Sequence, residues 1–181
     1  MIPQFTDGGL LPVGRFQCSM DEVHSCFVAA ERFATSTTRA DVWNRIGGFL
    51  AEMAHLRARI PAMFLGGSFI SGNVDPDDGD LSPLIDMSRI QSDNTRRAIF
   101  QAIANSKSVL NLDIFPIRWV PEDISRAQGL GAPGVEDYLK DRGQWDDFWQ
   151  RQVPHRDRSA FVRSHAFPVR GYLEVIVDGY R

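Results

Sequence analysis

The stretch that decides the reading of this chain is Gly66-Gly67-Ser68-Phe69-Ile70-Ser71-Gly72-Asn73-Val74-Asp75-Pro76-Asp77-Asp78-Gly79-Asp80-Leu81. A short apolar run, Ala62 to Leu65, feeds a Gly-Gly-Ser turn, and the stretch closes on two aspartates two residues apart. Farther on, Asp113 sits inside a second apolar run, Val109-Leu110-Asn111-Leu112-Asp113-Ile114-Phe115. Glycine lets backbone approach a phosphate closely, and amides at a following helix N-terminus favour an anion. Alternation along a strand sends Asp78 and Asp80 to one face, and an adjacent strand would bring Asp113 to them. Oxygen-only ligands of this kind suit magnesium or manganese, which keep waters and complete their shells with phosphate oxygens. A turn for phosphate and three carboxylates for metal equip a chain to handle a nucleoside triphosphate.

Each feature also has a plainer reading. Asp75, Asp77, Asp78 and Asp80 among Asn, Gly and Pro make a solvated turn without any ligand. A charged residue in a buried strand is costly unless paired or metal-bound, so Asp113 requires a metal, an exposed face or an arginine partner. A calcium loop of the EF-hand type does not fit. Counted from Asp75, glycine falls at the fifth position instead of the sixth, and the twelfth is Asp86, not Glu.

The spacing resembles the polymerase-β-like nucleotidyltransferases, especially the minimal bacterial ones. Their Gly-Ser turn is followed by three residues, a Gly, five residues and Asp-x-Asp, as Gly67-Ser68, Gly72 and Asp78-Gly79-Asp80 are here. The resemblance covers this motif and the Asp113 strand, roughly the middle third of the chain. It implies an α/β fold, a small mixed sheet with flanking helices, as one nucleotidyltransferase-like domain over residues 1–181. It implies Asp78, Asp80 and Asp113 as catalytic metal ligands for Mg2+ or Mn2+, with Asp113 helping to deprotonate the nucleophile, and Gly67 and Ser68 as nucleotide-binding. The implied reaction moves a nucleoside monophosphate from a triphosphate to an acceptor hydroxyl on protein, RNA or a small molecule. Toxin–antitoxin or phage-defence pairings, and so a partner protein, are frequent among small members. Two departures stand out: Gly79 replaces an apolar residue between the paired aspartates, and Pro83 follows shortly after. A rival of another class is a non-catalytic module that keeps the fold and binds nucleotide or a partner. The flanks, Met1-Ile2-Pro3-Gln4-Phe5 and Gly171-Tyr172-Leu173-Glu174-Val175, look like a small bacterial family of unknown function attached to that superfamily.

Outward from the motif, residues 1–16 are rich in Gly and Pro and predict an irregular arm. Ser19-Met20-Asp21-Glu22 fits a capping box opening a short helix. A Thr/Ser cluster offers an N-cap for a helix from Arg39 to Arg59, ended by Pro61, with Val42, Ile46, Phe49, Leu50, Met53 and Leu56 as its buried stripe. Asp80 to Met87 reads as an edge or broken strand because Pro83 lacks a ladder donor. A helix spans Asn94 to Asn105, with Ile99 and Ile103 on one face. Val109 to Val120 reads as the strongest strand, interrupted by Pro116. Residues 128–134 read as a loop. The C-terminal part, 135–181, carries a helix to about Gln150, packed through Tyr138, Leu139, Trp145 and Trp149, and a final strand from Gly171 to Val177.

The 181 residues are 43% hydrophobic and 24% charged, ordinary for a soluble globular chain. A net charge of -3 gives no global attraction to nucleic acid or anionic membrane. Cys18 and Cys26 form neither a disulfide framework nor a zinc motif. With no leader and no long apolar run, the expectation is a cytoplasmic protein without membrane contact. Lys107 and Lys140 are the only lysines. Arginine dominance follows from a GC-rich coding genome or from selection for planar phosphate contacts. Arg151, His155, Arg156, Arg158, Arg163 and Arg170, after Trp145 and Trp149, make either a phosphate-binding surface or a solvated face. Neither His155 nor His165 has metal-ligand spacing, and nothing supports a serine or cysteine hydrolase.

Overall fold

The computed structural model describes residues 1–121, 123, 129, 131, 134–151 and 167–180. Its elements in chain order are β1 (Gly14–Ser19), α1 (Met20–Phe27), α2 (Arg39–His55), β2 (Ala62–Leu65), β3 (Gly79–Asp86), α3 (Asp93–Leu110), β4 (Leu112–Ile114), β5 (Ile117–Trp119), α4 (Val135–Trp149) and β6 (Gly171–Ile176). The strands make one mixed sheet in the order β1-β6-β2-β3-β4, with β5 on the same edge of β3 as β4. β1 runs parallel to β6, β2 is antiparallel to both β6 and β3, and β4 and β5 run parallel to β3. This is a small α/β fold with flanking helices, as the sequence implied.

Local signals explain most element ends. Ser19 Oγ accepts from Glu22 N at 3.1 Å while Ser19 N donates to Glu22 Oε2 at 2.9 Å, so the capping box opens α1. β1 begins at Gly14, so the irregular arm is shorter than residues 1–16. At α2 the Thr/Ser cluster caps through Ser36, whose Oγ accepts from Arg39 N at 3.1 Å. Asp75 completes that cap from a distance, accepting from Thr37 N at 2.7 Å. The helix stops at His55, short of Arg59 and Pro61, because Arg57 turns left-handed at φ 58°. Val42, Ile46, Phe49 and Met53 are fully buried, each worth about 1.5–3 kcal/mol relative to exposure; Leu50 and Leu56 are half-buried.

Pro83 does not break or demote its strand. β3 is continuous from Gly79 to Asp86 and lies inside the sheet. Leu81 O accepts from Phe115 N at 2.9 Å, so by alternation the missing N–H of Pro83 points to the same side. On that side β4 pairs only Gly79–Leu81 and β5 only Leu84–Asp86. Pro83 therefore falls in the gap between two short strands, where no donor is required.

The expected strand from Val109 is also corrected. α3 extends from Asp93 through Leu110, with Ile99 and Ile103 buried as expected and Val109 exposed on its last turn. Asn111 closes the helix in the left-handed region at φ 49°. Only then do β4 and β5 follow, separated at Phe115–Pro116. In α4, Trp149 is buried and Tyr138 and Trp145 are half-buried, whereas Leu139 is exposed. The 128–134 loop falls mostly outside the described residues. Among those described, no helix is long and apolar enough to cross a membrane.

The two faces of the sheet differ in cover. Trp149 Nε1 donates to Ser82 Oγ at 3.0 Å and Tyr172 OH bonds Asp146, so α4 lies on the face of the even-numbered β3 residues. Arg118 fastens α4 to β5 through both carboxylate oxygens of Asp141, at 2.7 Å each. On the other face a Cβ at Gly79 would meet Leu112 Cδ2 at 2.8 Å and Val42 Cγ1 at 3.3 Å. The space beside Gly79 is filled with apolar side chains from α2 and β4. Glycine at 79 lets the strand seat against these side chains.

Candidate functional site

Asp80 and Asp113 are paired partners in the parallel register of β3 and β4, so their side chains leave the sheet on the same face. Asp78 stands immediately before β3. Its loop is fastened to the β4 entrance by Asn111, whose Nδ2 donates to Asp77 O at 2.8 Å. Each of the three aspartates offers an oxygen, and these atoms lie within 4.8 Å of one another. The remaining acids of the stretch do other work: Asp75 caps α2, and Asp77 lends its carbonyl to Asn111.

The Gly-Gly-Ser turn adjoins this cluster for steric reasons. Gly67 has φ 68°, and a Cβ there would lie 1.7 Å from Asp80 Oδ2. At Gly66 a Cβ would lie 2.2 Å from Trp149 Cε3. One glycine admits the carboxylate and the other admits the indole. Ser68 follows in a turn, not in a helix, so no helix dipole faces the site; Ser68 O accepts from Ser71 Oγ at 2.7 Å. Among the described residues the amides of Gly67 and Ser68 donate to no protein acceptor.

Two cations bear on the cluster. Lys107 Nζ donates to Asp78 Oδ2 at 2.7 Å and Asp113 Oδ2 at 2.9 Å. Arg170, which precedes β6, donates from Nη2 to Gly67 O at 2.6 Å. Its Nε is buried without a partner among the described residues. Burial pushes the Asp80 carboxyl up to about 6, reinforced by the charges of Asp78 and Asp113 and opposed by Lys107 and Arg170. Burial also lowers the Arg170 guanidinium, with Asp80 opposing the shift. The cluster is an acidic centre short of positive charge, and its all-oxygen donor set suits magnesium or manganese.

Behind the site, Arg39 shapes the loop. It is almost fully buried, and its guanidinium donates to the carbonyls of Phe27, Phe69, Ser71, Asn73 and Val74. Five carbonyls and the Phe33 ring, 3.5 Å from its Cζ, hold this cation in the interior without a hydrogen-bonded carboxylate. Burial brings its pKa down to about 10. Gly72 N donates to Gly9 O at 2.7 Å, so the N-terminal arm closes over the same loop.

Sequence reasoning treated Lys107 only as one of two lysines and Arg39 only as a helix start. Ending α3 at Asn105 hid the geometry that aims Lys107 at Asp113. Of the basic C-terminal segment, Arg170 reaches the site and Arg151, just past the end of α4, pairs back with Asp147 on that helix. His155, Arg156, Arg158, Arg163 and His165 lie outside the described residues. A family model described as a family of unknown function (DUF6932) matches residues 3–175. No curated protein and no solved structure matches the chain.

Proposed function

We propose that this chain, which belongs to the DUF6932 family of unknown function, is a metal-dependent nucleotidyltransferase that moves a nucleoside monophosphate from a triphosphate to an acceptor hydroxyl. The observation that carries the reading is the convergence of Asp78, Asp80 and Asp113 beside the Gly67 turn, with Asp80 and Asp113 in register on neighbouring strands. These three carboxylates would hold Mg2+ or Mn2+, which supplies charge neutralisation of phosphate and activation of a hydroxyl. The free amides of Gly67 and Ser68 receive phosphate oxygens, and Arg170 adds positive charge on the same side. Asp113, partly exposed in the middle of the short strand β4, accepts the proton of the incoming hydroxyl. The acceptor is protein, RNA or a small molecule.

The test is pyrophosphate release and label transfer with each of the four triphosphates, magnesium or manganese, and cell extract. Asp113→Asn should lose transfer by orders of magnitude and keep its fold, since positioning and charge neutralisation dominate phosphoryl chemistry. A second reading, a nucleotide- or partner-binding module without catalysis, is favoured by Lys107, which already neutralises Asp78 and Asp113 without a metal. Under it, wild type and Asp113→Asn are equally inert with every triphosphate.

A further inference from the structure

We propose that the aromatic edge made by Phe115, Trp145 and Phe148 is a stacking platform for the base of the nucleotide held at the carboxylate cluster. This rests on the reading above and assigns the side chains that would take the base of its nucleotide. Phe115 lies two residues beyond Asp113, and its amide bond to Leu81 O keeps it in the extended run of β4, on the same face as that carboxylate. Its ring lies 4.6 Å from the Trp145 ring, centroid to centroid, at 30°. Phe148 meets Trp145 edge-on at 5.3 Å and Trp149 edge-on at 5.0 Å. Trp149 in turn packs on Gly66, whose neighbour Gly67 touches Asp80. The rings thus join the acidic centre by two routes, along β4 and across the Gly-Gly turn.

The cluster divides by burial. Trp149 is buried with its N–H satisfied by Ser82, as a core tryptophan should be. Phe148 remains 46% exposed although it abuts three aromatic rings. Trp145 is half-buried, and its indole N–H has no acceptor among the described residues. A core serves Trp149; it does not account for an exposed phenylalanine beside a half-buried indole. A flat apolar occupant next to a phosphate-binding turn is a nucleobase. Base–aromatic stacking tolerates any base, so the platform favours nucleotides in general, with the larger purines ahead.

The experiment compares manganese complexes of tripolyphosphate, ATP, GTP, CTP and UTP by titration calorimetry on wild type, Phe148→Ala and Phe148→Tyr. Phe148 is exposed, so truncation leaves the core intact. Wild type is expected to bind the nucleotides more tightly than tripolyphosphate. Phe148→Ala should weaken ATP roughly tenfold, leave tripolyphosphate within about twofold, and be rescued by Phe148→Tyr. Tripolyphosphate binding as tight as ATP, or equal losses for both ligands in Phe148→Ala, would overturn the platform and leave the metal–phosphate reading standing. Binding of neither ligand by wild type would overturn both.

Discussion

Lys107 and Asp113 are joined across the hinge between α3 and β4, with Nζ 2.9 Å from Oδ2. The left-handed Asn111 between them turns the chain so that a side chain on the last helical turns faces the first residues of the strand. The same ammonium reaches Asp78 at 2.7 Å. Lys107 therefore occupies the position of a counter-ion between two of the three carboxylates.

A counter-ion on the same oxygens competes with a metal. Lys107→Ala should tighten manganese binding by roughly tenfold and lower the metal-free melting temperature, because Asp78 and Asp113 then lose their counter-ion and only Arg170 offsets the three carboxylates. Calorimetric titration and thermal melts in chelator check both halves. Unchanged manganese affinity in Lys107→Ala would mean that the metal, if any, binds elsewhere.

Asp80 supplies a pH dependence whose sign is fixed. Its carboxyl is held at about 6 against an ordinary 3.8. Below about pH 4 folded and unfolded chains both carry the proton. As pH rises from 4 to 6 the unfolded chain loses its proton first, so native stability falls, by about 2–3 kcal/mol once the folded group has ionised. Asp80→Asn lacks this loss. Its advantage in melting temperature over wild type, measured in chelator, should grow from pH 4 to 7 and shrink when manganese is added. Parallel stability curves for the two proteins would refute the assignment.

Gly67 answers for two constraints at once, a left-handed backbone and the carboxylate pressed against its Cα. Gly67→Ala should cost about 2–4 kcal/mol in chemical denaturation, since either strain alone costs about 1 kcal/mol or more. Gly143 is the control: it lies inside α4 with open space around it, so Gly143→Ala should stabilise by about 0.5–1 kcal/mol. Equal effects at the two positions would remove the argument for close approach at the turn.

What could be read in advance follows from how local each signal is. The capping box at Ser19, the strand at Ala62–Leu65 and the stripe on α2 depend on near neighbours, and they lie where the residues place them. Pro83 misled because its meaning depends on which strands lie beside β3, and the gap between β4 and β5 is set far along the chain. The end of α3 misled because Val109 and Leu110 are apolar in either element, and only the left-handed Asn111 marks the change. The three aspartates were legible from spacing, but Lys107, Arg39 and the Phe115–Trp145–Phe148 edge become legible only when distant segments are brought together.

Arg39 provides the strongest test of how the site is held in shape. Its five carbonyl acceptors span Phe27 and the loop from Phe69 to Val74, which leads directly into Asp78. Lysine keeps the charge but offers three donors on one point in place of a planar fork. Arg39→Lys should therefore lose about 2–4 kcal/mol, because several buried carbonyls are left unpaired. Manganese binding should weaken with it, since the loop that presents Asp78 loses its frame. Asp75→Ala separates the two effects. It removes a cap worth about 1 kcal/mol at α2 and leaves the Arg39 bonds in place, so it should lower the melting temperature with metal affinity unchanged. Equal losses of metal affinity in both variants would show that Arg39 supports the site only through general stability.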